Sequence, residues 1–123
     1  MQPVNDLKAR TKSFALNIIK LVKTLADDRI GRVLGNQILR SGTSVGANYR
    51  SACKARSKAD FISKITVVEE EADETSFWLE LIMESETLNN DLTKTLHRES
   101  NELTAIFTSS GKTAKENTER HKK

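Results

Sequence analysis

The stretch Gly42-Thr43-Ser44-Val45-Gly46 fits the G-x-S-x-G pattern of a hydrolase nucleophile elbow, and Glu71 and Glu74, three residues apart, form a carboxylate pair of the kind that binds metals. An elbow works because a strand-to-helix turn holds its serine strained and exposed. No strand-like segment precedes Ser44, and the only histidines, His97 and His121, both follow it, the second in a polar tail. A phosphate loop of the G-x-x-x-x-G-K-[ST] type fails as well, because no lysine follows Gly46. Carboxylate-bridged metal bundles require Glu-x-x-His motifs, which are absent. The sequence therefore predicts no catalytic residue, no metal site and no cofactor, and the protein reads as a non-enzyme. Cys53, the single cysteine, excludes an intrachain disulfide and fits a reducing compartment.

The elements that carry these residues are helical. One proline and five glycines among 123 residues leave few breakers, and the length suits one domain. A first helix is expected from the N-cap Asp6 to Leu25, with Leu7, Phe14, Ile18, Leu21, Val22 and Leu25 at helical spacing. A second starts near Asp28 and carries Ile30, Leu34, Ile38, Val45 and Tyr49. The third, from about Ser57, repeats Phe61, Ile65, Val68, Ala72, Thr75, Leu79 and Ile82 in a sustained heptad. Asn90 or Asp91 caps the fourth, with Leu92, Leu96, Leu103, Ile106 and Phe107, and Gly111 is placed to end it. The fold class that follows is all-α, an antiparallel up-and-down four-helix bundle over residues 1–110, with 111–123 a polar tail, frayed or disordered. No apolar run approaches the ~20 residues that span a bilayer, so a cytoplasmic protein with no membrane partner is expected.

Wound as a helix at 100° per residue, Gly31, Gly35, Gly42 and Gly46 fall within about 60° of one another. They form a smooth seam for close contact with a neighbouring helix. Beside the seam Gln37, Ser41, Ser44 and Asn48 make a polar stripe, and Arg32, Arg40, Arg50 and Lys54 make a basic ridge that Arg56 and Lys58 extend. The third helix also has a second side, on which Val67, Phe77, Trp78 and Leu81 interleave with Glu70, Glu71 and Glu74. A Trp and a Phe on such a face predict a subunit interface. The carboxylates of Glu71 and Glu74 are expected to pair with Gln37, Arg40, Ser41, Ser44 or Asn48 in a buried or interfacial network, because unpaired they would be costly to desolvate.

Charge is divided along the chain. Residues 1–64 hold 13 Lys/Arg against 4 Asp/Glu, and residues 65–123 hold 7 against 13. A basic hairpin packed on an acidic one accounts for this division, and so does a nucleic-acid footprint; the packing account comes first.

Together these residues carry a family resemblance. "GNQILRSGTSVGANYRSA", "DFISKITVVEEEADETSFWLELI" and "ESNELTAIFTSSGKTAK" resemble the bacterial four-helix-bundle family named for open reading frames in the intervening sequences of large-subunit ribosomal RNA genes, over about residues 8 to 115. Departures are Gly42 and Val68, where alanine is common, and Tyr49-Arg50-Ser51, where an acidic residue often stands before the small ones. The resemblance implies a bundle assembled into a homo-oligomeric ring, commonly a pentamer; it does not imply an enzyme. A similar bundle is the accessory factor of diversity-generating retroelements, which implies RNA and a reverse transcriptase as partners. Two functions stay open: a nucleic-acid-binding accessory protein using Arg32, Arg40, Arg50, Lys54, Arg56 and Lys58 on phosphates of RNA or DNA, or a protein-interaction scaffold whose ridge is only solvated.

Overall fold

The computed structural model describes the backbone of residues 6–122 and the side chains of residues 6–117. Four helices follow one another, α1 (Leu7–Thr24), α2 (Arg29–Cys53), α3 (Lys58–Glu84) and α4 (Asp91–Lys122), with no strand among the described residues. The capping chemistry is local. Asp6 accepts from the Ala9 N–H at 3.1 Å, Asp28 from Gly31 at 2.8 Å and Ser57 from Asp60 at 3.0 Å. At the start of α4, Asn90 Oδ1 accepts from the Thr93 N–H at 3.0 Å while Thr93 Oγ1 accepts from the Asn90 N–H at 3.0 Å. Each pairing satisfies N–H groups that a helix start leaves without partners. After α3 the chain reverses through Glu86, whose φ of 60° is left-handed without the relief a glycine would give.

Short connections make neighbouring helices antiparallel, and the heptad stripe of α3 lies at the centre of the bundle. Ile65, Val68, Ala72, Leu79 and Ile82 are buried against Phe14, Ile18 and Leu21 of α1, Ile38, Val45 and Ala52 of α2, and Leu96, Leu103 and Phe107 of α4. The neighbours in sequence pack most extensively, and α1 meets α4 only thinly. Arg10 spans that thin seam, donating to Glu99 at 2.7 and 2.8 Å and to Glu102 at 2.8 Å. Ser76 donates to Asn101 at 2.8 Å across the α3–α4 seam.

Two expectations fail. Gly111 does not end α4, which continues through it to Lys122, over residues whose composition suggested a frayed or disordered tail. The glycine is buried, and a Cβ there would come within 3.3 Å of Ile65 Cγ2, so its role is a close approach of α4 to α3. Ile30, expected in the apolar stripe of α2, is 55% exposed, because it precedes the first turn that α1 and α3 can cover.

The glycine seam is present and faces α1. A Cβ at Gly42 would lie 2.8 Å from Ile18 Cγ1 and 2.9 Å from Ile18 Cγ2, and one at Gly46 would lie 3.3 Å from the Thr11 carbonyl. At Gly35 the nearest atom, Leu25 Cδ1, is at 3.4 Å, an ordinary contact. Two substitutions of the same chemistry therefore carry opposite signs. Gly35→Ala should stabilise by up to ~1 kcal/mol through helix propensity, whereas Gly42→Ala should destabilise by ~1–3 kcal/mol through overpacking against Ile18. Denaturant midpoints of the two variants measure this. Equal shifts would mean that α1 is free to move away from α2.

Candidate functional site

Three surfaces hold the residues singled out by sequence. The first is a polar centre between α2 and α3. Arg40 bonds Glu74 through one guanidinium nitrogen, and its other terminal nitrogen lies 3.6 Å from Glu71. Trp78 Nε1 donates to the same Glu74 carboxylate at 3.1 Å. Beneath them the hydroxyls of Ser41 and Thr75 are hydrogen-bonded at 2.9 Å in the buried interior, and Thr75 donates to the Glu71 carbonyl at 2.7 Å. Arg40 is half exposed, so its ion pairs contribute little to stability and chiefly fix the two carboxylates in place. With Arg40 between them, Glu71 and Glu74 meet a fixed cation, and no third ligand for a metal joins them among the described residues.

The expected seven-residue network is therefore smaller than the sequence implied. Arg40, Ser41, Glu71 and Glu74 come together. Ser44 instead donates to the Arg40 carbonyl at 2.6 Å and Asn48 to the Ser44 carbonyl at 2.8 Å, both on their own helix. Gln37 makes no side-chain hydrogen bond among the described residues. Ser44 sits mid-helix, so the strained turn that an elbow needs is missing. Thr75 and the Trp78 indole N–H were not foreseen as members. A threonine inside an apolar heptad was the available signal for the first.

The second surface is apolar. Phe77 is 50% exposed and stacks edge-on against Trp78 with ring centroids 5.1 Å apart. Leu81 and Val67 are exposed on the same helix, Val67 about 15 Å further along it. The antiparallel register set by Arg40–Glu74 and Ser41–Thr75 carries exposed Ile30 and Val33 of α2 toward Leu81. Those two extend the apolar face beyond the residues the sequence pointed to.

The third surface is the end of the bundle where α1 begins and α2 passes into α3. Exposed Arg50 shares a crease with Lys8 and Lys12 of α1, and exposed Lys54, Arg56 and Lys58 follow along the turn. Arg50, Lys54, Arg56 and Lys58 make no ion pair among the described residues. Acidic neighbours among the described residues include Asp6, which caps α1, Glu116 on α4, and Asp60, held by Lys64 at 3.1 Å with its carboxyl below the usual range through that bond, the Arg56 N–H and the charges of Lys64 and Arg56. The other two expected cations are engaged elsewhere, Arg32 with Asp27 at 2.9 Å and Arg40 with Glu71 and Glu74. Lys8 and Lys12 were missed because they lie some forty residues from the ridge in sequence. Nearby, burial and the adjacent Cys53 push the Tyr49 phenol up to about 12.

The 23S rRNA-intervening sequence protein family matches residues 5–109, the whole of the helical core just described up to the last turns of α4. This chain belongs to that family. The crystal structure of a protein of unknown function from the S23 ribosomal protein family of Bacteroides thetaiotaomicron is similar with a TM-score of 0.79 and 39% sequence identity, covering 85% of this chain and 97% of that one. No curated protein matches. The intervening-sequence family thus accounts for the fold, and the neighbouring structure brings no activity with it. No helix among the described residues is long and apolar enough to cross a membrane.

One carboxylate in this intervening-sequence protein is poorly served. Glu71 Oε1 is buried with no hydrogen-bond partner, and its side chain is 18% exposed. Burial raises its pKa above the ordinary 4.5, Arg40 opposes the shift, and Glu74 and Glu70 add to it. A carboxyl whose folded pKa is raised holds a proton that the unfolded chain has released. Its contribution is full below the ordinary value and is lost as pH rises through the raised one. Glu71→Gln should therefore raise the thermal midpoint at pH 7, and the advantage should vanish below pH ~4. A lower midpoint at pH 7 would mean that attraction to Arg40 outweighs burial.

Proposed function

We propose that this intervening-sequence protein is a non-enzymatic nucleic-acid-binding accessory protein that engages phosphates with the basic end of its bundle and works as a homo-oligomer. The observation that carries the reading is the gathering of Lys8, Lys12, Arg50, Lys54, Arg56 and Lys58 at one end, all exposed. Cations that merely balanced the acidic half would be paired with it, as Arg10 and Arg40 are. Such a surface recognises the backbone of RNA or DNA rather than a base sequence. The reverse transcriptase implied by the retroelement resemblance is a protein partner compatible with the same assembly.

Affinity for structured RNA should fall steeply with salt, because each neutralised phosphate releases condensed cations. Arg50→Ala with Lys54→Ala should weaken binding uniformly across sequences and flatten the salt slope by about two contacts. Fluorescence anisotropy over a salt series measures both. Absence of binding at ~50 mM salt, where phosphate contacts are strongly favoured, would instead support the scaffold reading.

The apolar face supports assembly. Phe77, Leu81, Val67, Ile30 and Val33 leave more apolar surface than one four-helix core covers, with Trp78 partly buried among them. A second copy of the chain is the occupant this reading names, and a pentameric ring is the form that the resemblance implies. Light scattering after gel filtration should give several times 13.8 kDa. Trp78→Glu should lower that mass, and a wild-type monomer at micromolar concentration would overturn the assembly.

A further inference from the structure

At the basic end, the last turn of α2, the α2–α3 turn, the start of α3 and the C-terminal half of α4 surround an open groove of about 550 Å³. Its floor is apolar, formed by Ala52, Ala55 and the partly buried ring of Phe61. One rim carries Arg56 and Lys58, exposed and in no ion pair among the described residues. The opposite wall is the face of α4 bearing Ser110, Thr113 and Asn117. Ser110 donates to the Ile106 carbonyl at 2.9 Å, and Thr113 and Asn117 make no side-chain hydrogen bond among the described residues. The groove thus offers an apolar floor with one aromatic ring, hydrogen-bonding groups on one side and positive charge on the other.

The ligand that matches has a flat ring, polar ring edges and an attached anion. From this we propose that the groove holds one unpaired nucleotide of a bound strand, its base against Phe61 and its phosphate at Arg56 and Lys58. The basic end then prefers single-stranded to duplex nucleic acid. The inference rests on the reading of that end as a nucleic-acid contact and adds what it selects. A paired base cannot enter, because its faces are covered by its neighbours and its edge by its partner. An alkyl chain leaves the α4 wall unused, and an acidic side chain leaves the aromatic floor unused. The chain's own residues 118–123, Thr-Glu-Arg-His-Lys-Lys, carry three cations and one anion, a net +2, which is the wrong sign for a cationic rim.

Cys53 lines the groove, is exposed and is the only cysteine, so its alkylation reports occupancy. A short single-stranded oligoribonucleotide and a blunt duplex with the same number of phosphates are compared on the full chain by anisotropy and by the rate of iodoacetamide alkylation. The single strand should bind about tenfold tighter, the order expected for stacking one base on an aromatic ring, and should slow alkylation severalfold. The duplex should leave the rate unchanged. Phe61→Leu, which keeps the floor apolar but removes the ring, should abolish the preference and retain duplex binding. Should that variant not fold, Thr113→Leu narrows the groove from an exposed wall and should have the same effect. Equal affinities, or unprotected Cys53 in the single-strand complex, would overturn the groove and leave the basic-end reading intact. Failure of both nucleic acids to bind would overturn both.

Discussion

The close approach of α1 to α2 along Gly42 and Gly46 is the contact on which the rest of the arrangement depends. With no side chain at either position, Ile18 sits directly over the backbone of α2, and the Thr11 carbonyl comes within reach of a methyl group that is not there. A glycine in a helix interior costs up to ~1 kcal/mol, so the seam is stable only because burial of Phe14, Ile18 and Leu21 offsets it. Seating α1 there also fixes the rotation of α2. Its remaining faces then have set directions: Ser41 turns inward to Thr75, Arg40 turns toward the carboxylates of α3, and Arg50 is left at the end of the bundle beside Lys8 and Lys12.

That rotation sorts the cations. The division between a basic N-terminal half and an acidic C-terminal half is resolved by two arginines. Arg10 joins α1 to α4 and Arg40 joins α2 to α3, each reaching two carboxylates. The Arg10 guanidinium is held more firmly in its charged form by Glu99 and then Glu102, and it closes the thinnest seam of the bundle. The other cations of the α2–α3 turn make no ion pair among the described residues, Arg56 meeting Asp60 only through its backbone N–H and the longer-range attraction of its charge, so their charge is left at one end. A packing explanation of the charge asymmetry is thus sufficient for Arg10 and Arg40 and insufficient for Arg50, Lys54, Arg56 and Lys58.

What could be read from sequence divides along physical lines. The cap at Asp6, the helix starts near Asp28 and Ser57, and a fourth cap at Asn90 or Asp91 were legible because capping is decided within four residues, and the heptad of α3 because a helix buried along one stripe must repeat it. Gly111 misled because glycine serves both helix termination and close packing, and only the position of Ile65 across the interface separates the two. Ser44 and Asn48 were assigned to an interhelical network although short polar side chains can satisfy themselves on the carbonyl four residues back, as both do here. Ile30 was hidden by its spacing, which suits a core stripe that begins only at the next turn, and Val33 carried no pattern of its own. The groove was invisible in the sequence because Ala52 and Asn117 meet only after the bundle has closed.

The apolar face and the basic end occupy different places, and this separation bears on how the two proposed roles coexist. The register set by Arg40 and Glu74 sends Ile30, Val33 and Leu81 toward the α3–α4 turn, while Arg50 to Lys58 lie at the opposite end. Copies joined through the first surface would leave the second uncovered and bring several basic ends side by side. Individually weak phosphate contacts then act at a high effective concentration, which multiplies affinity without any new contact. A strand engaged by one basic end would be held near the next. A preference for unpaired nucleotides would be amplified in the same way, because each further groove selects again for single-stranded chain.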